Sequence, residues 1–207
     1  MFISKNKKII QFSVLSALII SILFSVVGFE AQCKGIRSSV VRLHILANSD
    51  SNEDQKLKLC IRDNILENSA YLFDGMTDKK TAIKIIEQNL ENLQQIAQQT
   101  VYEKGYGYPV TVQIGTAYFD TRRYTNAVFP AGVYDSLIVT VGKGEGKNWW
   151  CVMFPPICIS AASETVDVDD VLTEKQQDIV NNNEKYVCRF WIVEKYYSIK
   201  NFICNLF

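Results

Sequence analysis

The sequence predicts an α+β domain, a mixed β-sheet with helices packed on one face, preceded by an N-terminal hydrophobic export or transmembrane helix. Three observations carry this. Ile9–Phe29 contains no charged residue. Ile83, Ile86, Leu90, Leu93 and Ala97 repeat at the spacing of an amphipathic helix. Strand-like runs occur at 36–46, 110–119, 133–141 and 149–154, with helical patterns confined between the first two.

The first of these elements sets the topology. Roughly 20 apolar residues cross about 30 Å of hydrocarbon as a helix. Lys5, Lys7 and Lys8 precede the run, and basic residues stay on the cytoplasmic side, so everything after Glu30 is placed outside. Residues 1–30 are either a signal peptide or an uncleaved anchor. The run is long for a signal peptide, and Val26-Val27-Gly28 offers a small residue but no clean A-x-A site.

Beyond it, the 207-residue chain is 48% hydrophobic, enough for one domain with a full core. Its 22 basic and 22 acidic residues cancel. Such a balance supplies no global field for polyanions, so nucleic acid is not an expected partner. Four segments follow: 1–30, a globular α/β domain at 36–160, an acidic polar linker at 161–183 and an amphipathic C-terminal helix at 184–207.

Within the domain, Ile36–Leu46 reads as the first strand, with Val41, Leu43 and Ile45 on one face and Arg42 and His44 on the other. Asn48-Ser49-Asp50-Ser51-Asn52 breaks the pattern with side chains suited to turns and caps. A helix follows over Glu53–Asn68, opened by a capping box between Ser51 and Asp54. Leu57, Cys60, Ile61 and Ile65 share one face, while Leu59 and Leu66 fall nearly opposite, so the helix is expected to be covered on two sides.

A second helix, capped by Thr77 or Asp78, carries the apolar stripe to Glu103 and ends at Gly105. Val110–Phe119 alternates as a strand. Asp120–Pro130 is a loop. Val133–Val141 and Trp149–Phe154 read as a β-hairpin around a glycine-containing loop, closed by Pro155-Pro156. In the tail, Ile192, Tyr196, Ile199 and Phe202 or Ile203 form one helical face, which either docks on the domain or lies at a membrane surface.

The candidate chemistry is thin. His44 is the single histidine, and no GxSxG supplies a nucleophile for it. Gly142 to Asn148 is unlike a P-loop: only Lys143, Gly144 and Glu145 separate its outer glycines, and Asn148 follows Lys147. No CxxC occurs among the six cysteines. Cys151 and Cys158 are a candidate disulfide across the proline turn, or else two buried thiols. Trp149 and Trp150 must point to opposite faces of their strand, one into the core and the other toward a helix, loop or partner. No catalytic residue, metal site or cofactor is expected.

Two motifs carry a resemblance. One is Arg42-Leu43-His44-Ile45-Leu46-Ala47-Asn48-Ser49-Asp50 with Asp54-Gln55-Lys56-Leu57-Lys58 and Arg62-Asp63. The other is Pro130-Ala131-Gly132 to Tyr134, then Gly146-Lys147-Asn148-Trp149-Trp150-Cys151-Val152 and Phe154-Pro155-Pro156 to Cys158. Together they resemble the stage II sporulation protein R family of endospore-forming bacteria, over about Ile36–Cys158. Asp120 stands where that family's pattern has proline, and the resemblance does not reach the tail 161–207.

The resemblance implies an exported signal rather than an enzyme. It implies passage across the forespore membrane into the intermembrane space, where the protein remains secreted or membrane-anchored. The implied partner is a membrane-bound sporulation protease of the stage II sporulation protein GA type. This aspartic-type protease processes the pro-sigma-E factor of the mother cell. Arg42, His44, Asn48, Ser49, Asp50, Asp54, Arg62, Trp149 and Trp150 are the candidate partner-binding residues. Two alternatives belong to other classes: an exported cysteine-type hydrolase using His44 and Cys151, and a membrane-anchored structural protein without a signalling role.

Overall fold

A single helix, α1 (Phe2–Ser39), runs from the apolar segment straight into the domain. Its Ile9–Ser39 portion is long and apolar enough to cross a membrane. The computed structural model describes residues 2–124, 127–156 and 171–204. The large apolar side chains from Ile9 to Val27 lie on the exterior, whereas Phe29, Cys33, Ile36 and Val40 are buried. Ile36–Ser39 therefore closes α1 rather than opening the first strand. The cause is the i, i+4, i+7 spacing of Phe29, Cys33 and Ile36, which gives this stretch a buried helical face.

The strand that follows, β1 (Val41–Leu46), is the centre of the sheet. Next come α2 (Asn52–Ser69), α3 (Lys79–Gln88) and α4 (Leu90–Glu103). Ser51 caps α2, its hydroxyl accepting from the Asp54 backbone N–H at 3.1 Å. The reciprocal half of the expected capping box is not made, because the Asp54 carboxylate turns to Asn48 and Ser49 instead. Leu57, Ile61, Ile65 and Leu66 all join one core cluster, while Leu59 and Cys60 are half-buried, so α2 has one broad buried face rather than two.

The second predicted helix is two. Asp78 caps α3, accepting from the backbone N–H groups of Lys80 and Thr81. The helix stops at Asn89, whose side-chain amide donates to the Ile85 carbonyl at 2.8 Å. Asparagine competes with the backbone for its own hydrogen bonds, and the chain restarts as α4 one residue later.

β2 (Val110–Phe119) has the predicted bounds. The loop after it contains a two-stranded sheet, β3 (Arg122–Arg123) with β4 (Val128–Phe129). β5 (Gly132–Val141) and β6 (Asn148–Phe154) complete the main sheet, in the order β2-β5-β1-β6. β5 and β6 thus do not form the predicted hairpin. β1 lies between them, parallel to β5 and antiparallel to β6. With Val41, Arg42, Leu43 and Ile45 fully buried, β1 needs cover on both faces and both edges. The glycine loop 142–147 has only to bridge two strand spacings, about 10 Å.

Two layers flank the sheet. On one face α2, α3 and α4 enclose Leu43, Ile45, Val112, Leu137, Val139, Cys151 and Met153. Near one end of the other face, a second cluster joins Phe119, Phe129, Tyr134 and Val152 to the foot of α1 and to α5 (Glu174–Asn181) and α6 (Val187–Cys204). Residues 161–170 of the expected linker lie outside the described residues. The remainder is packed structure: Leu172, Ile179 and Val180 are buried. α6 docks on the domain through Phe190 and Val193, while Tyr196, Ile199, Phe202 and Ile203 of the expected stripe face outward. Both sides of this helix are apolar, and Phe29, 5.4 Å from Phe190, selects the side that packs.

Candidate functional site

The two motif segments meet in space as a latch. Asn48 donates to the Asp54 carboxylate at 2.9 Å and Ser49 at 2.6 Å. The Asn48 side-chain oxygen Oδ1 accepts from the Lys143 backbone N–H at 3.1 Å, and the Asp50 carboxylate accepts from that of Lys147 at 2.6 Å. The Gly146 N–H donates to the Ala47 carbonyl at 2.9 Å, and a Cβ on Gly146 would sit 2.2 Å from the Ser49 oxygen. From α2, Lys58 donates to the Lys147 carbonyl at 2.8 Å. The latch carries the chain over the end of β1 and delivers β6 to its far side.

Asp54 is buried, yet its pKa lies below the ordinary carboxylate value. Burial pushes it up, but hydrogen bonds from Ser49, Asn48 and Tyr108 outweigh that. Burial likewise pulls the Lys58 ammonium down, opposed by Asp50.

Trp149 and Trp150 take opposite faces. Trp149 packs beside the first core, with the Arg62 guanidinium 4.5 Å above its ring. Trp150 packs beside the second, under Arg122 at 4.5 Å and edge-on to His44 and Phe119. Burial holds His44 below its ordinary pKa, opposed by hydrogen bonding with Asn148.

Arg42 is the unexpected member. It is fully buried, with its guanidinium 4.4 Å from the centre of the Phe119 ring and 5.0–5.8 Å from Tyr134, Phe129 and Tyr124. One hydrogen bond, to the Tyr124 hydroxyl at 2.9 Å, is its polar contact, and Nε and Nη1 have no partner among the described residues. Each favourable ring contributes about 0.5–2 kcal/mol when desolvated, which offsets part of the cost of burying the charge. Arg42 and Asp54 therefore shape the surface from within. Asp50, Arg62, Lys147, Asn148 and the exposed edge of Trp149 present it.

The proline-rich motif has a structural cause too. Arg37, nearly buried, donates to the Ala131 carbonyl at 3.1 Å and pairs with Glu30. Gly132 has φ +146°, and a Cβ there would lie 2.5 Å from Arg37 Cδ. Tyr134 donates to the Pro130 carbonyl at 2.5 Å.

Hydrolase chemistry through His44 and Cys151 has no geometric basis. Cys151 pairs with Leu43 and Trp150 with His44, so the two candidate residues occupy opposite faces of the sheet. Cys151 is moreover disulfide-bonded, while Cys33, Cys60 and Cys188 are free. Cys158, its expected partner, lies outside the described residues.

Comparison with known proteins then decides the family. The family described as stage II sporulation protein R matches residues 37–164. The chain belongs to the stage II sporulation protein R family. It is similar to stage II sporulation protein R of Bacillus subtilis (strain 168), at 39% identity over 129 residues. That stretch is 62% of this chain and 58% of the relative, so the likeness spans little more than half the relative's length. No solved structure matches the chain. Within the family-matched span lie the whole sheet, the latch and the Arg42 cage. Most of α1 and all of α5 and α6 lie outside it.

Sequence reasoning missed the aromatic cage and the cluster of charges around Arg37. The signal for the latter was present: Glu30, Lys34, Arg37 and Ser38 follow the apolar run at helical spacing.

Proposed function

We propose that this protein is an exported signal of endospore formation. In this reading it activates a membrane-embedded aspartic-type protease of the stage II sporulation protein GA type, which processes the pro-sigma-E factor in the mother cell. The observation that carries the reading is the family match over 37–164, set directly behind a helix that is apolar enough to enter a membrane. The protein acts by binding, not by catalysis. A ligand switches an enzyme only through a higher affinity for its active state, so a rigid, preformed surface is the property required. The latch supplies it by fixing Asp50, Arg62, Lys147 and Trp149 relative to one another.

The test is reconstitution of this protein with the protease and the sigma-factor precursor in one membrane, scoring cleavage. Cleavage that depends on this protein is the expected result, and its absence overturns the reading. Charge reversal at Arg62 and Lys147 locates the surface. Folded variants that still give full cleavage would reassign it elsewhere.

A further inference from the structure

A cleft of about 470 Å³ lies at the foot of α1, between that helix, the start of α3, β5 and α6. We propose that it binds the phosphate of an anionic phospholipid headgroup. The proposal rests on α1 lying in the membrane, not on protease activation.

The charge pattern comes first. Four cations line the cleft, Lys34, Arg37, Lys79 and Lys200, against two carboxylates, Glu30 and Asp135. Glu30 is taken by Arg37 and by the Tyr197 hydroxyl, at 3.0 Å from the latter. Asp135 is taken by Lys79 at 2.7 Å. Lys34 and Lys200 are left exposed and without a carboxylate among the described residues. The cleft thus keeps two uncompensated ammonium groups beside an internally neutralised floor, which suits one phosphate better than a metal or a neutral solute.

The cleft is also built, not incidental. Arg37 is held by the Ala131 carbonyl, and Lys79 donates to the Arg37 carbonyl at 3.2 Å. α6 is clamped to α1 by Phe29 against Phe190 and by Tyr197 against Glu30 and Arg37, which brings Lys200 and Lys34 to the same cleft.

Position selects a lipid over a free anion. Glu30, Lys34, Arg37 and Ser38 stand at i, i+4, i+7 and i+8, a single face of the helix that carries the span. At about 1.5 Å per residue, Lys34 lies roughly 7.5 Å beyond Phe29, the last residue of the uncharged run, at the outer edge of the headgroup layer. The headgroup layer extends about 5–7 Å past the hydrocarbon on each side. Basic clefts at that depth are suited to lipid phosphates.

The test uses the full chain in neutral detergent, titrated by calorimetry with soluble dihexanoyl-phosphatidylglycerol, dihexanoyl-phosphatidylcholine and inorganic phosphate. Saturable binding of the phosphatidylglycerol is expected, with the other two at least tenfold weaker. K34Q/K200Q should weaken it about 30-fold, from about 1 kcal/mol per lysine at a membrane surface, with no change in melting temperature. K34R/K200R, which keeps both charges, should bind like the natural chain. Unsaturable binding, or equal binding by K34Q/K200Q, overturns the site. Inorganic phosphate binding as tightly as the lipid overturns the lipid assignment.

Discussion

Arg42 carries a charge into the second core with four aromatic rings for company and no carboxylate partner among the described residues. Its guanidinium is planar and weakly hydrated, and stacks where an ammonium would not. Two substitutions separate shape from charge. Arg42→Met keeps the volume and removes the desolvation cost, so it should be at least as stable in urea unfolding. Arg42→Lys keeps the charge but loses the planar contacts, and should cost roughly 2 kcal/mol. If Met is the worse of the two, the cage is not what holds this residue. The neighbouring His44 gives a pH signature. Its pKa is lowered on folding, so the unfolded chain takes up a proton first as pH falls below about 6.5. Stability contributed by neutral His44 is complete above that value and declines below it. Asp54, with its pKa lowered in the folded state, acts further down, losing its contribution as pH falls through that value. Melting curves between pH 5 and 8 should show the first decline, and His44→Gln should flatten it.

At the scale of elements, position in the sheet depends on the latch, and the latch depends on one close approach. Gly146→Ala places a carbon against the Ser49 backbone oxygen, and relief requires the loop to move. A loss of about 1–3 kcal/mol is expected, several degrees in melting temperature. An unshifted melt would mean the loop does not hold β6. α6 is tested by contrast: Phe190→Ala should cost about 3–5 kcal/mol, and Ile199→Ala, 60% exposed, within about 0.5. The same elements show what a sequence can disclose. The Ser51 cap, the bounds of β2 and the inner stripe of α3 and α4 were legible because each is decided within a few residues. The separation of β5 from β6 was not, since it depends on β1, which is distant in the chain and fills the gap. The packing side of α6 was hidden because both sides are apolar and the foot of α1, distant in the chain, chooses between them. Arg42 read as surface because its rings converge from segments far apart, and the latch residues read as partner contacts because short polar side chains serve either purpose.

For the whole molecule, the junction between α1 and the domain matters most. The helix has no break where the apolar run ends, and its last turns are core: Phe29, Cys33 and Ile36 are buried, and Arg37 anchors the start of β5. Burying a large apolar side chain contributes about 1.5–3 kcal/mol, so Phe29 and Ile36 together approach the lower end of a domain's total stability of about 5–15 kcal/mol. Removal of an export signal is therefore compatible with this fold only up to about Gly28. A chain beginning at Phe29 should give a cooperative melt, because every residue of α1 that is buried among the described residues remains. A chain beginning at Val40 should be expanded and expose apolar surface, although it retains all the strands. Circular dichroism and dye binding on the two truncations decide the matter. A cooperative melt from the shorter one would show that the foot of α1 is an attachment to the domain and not part of its core.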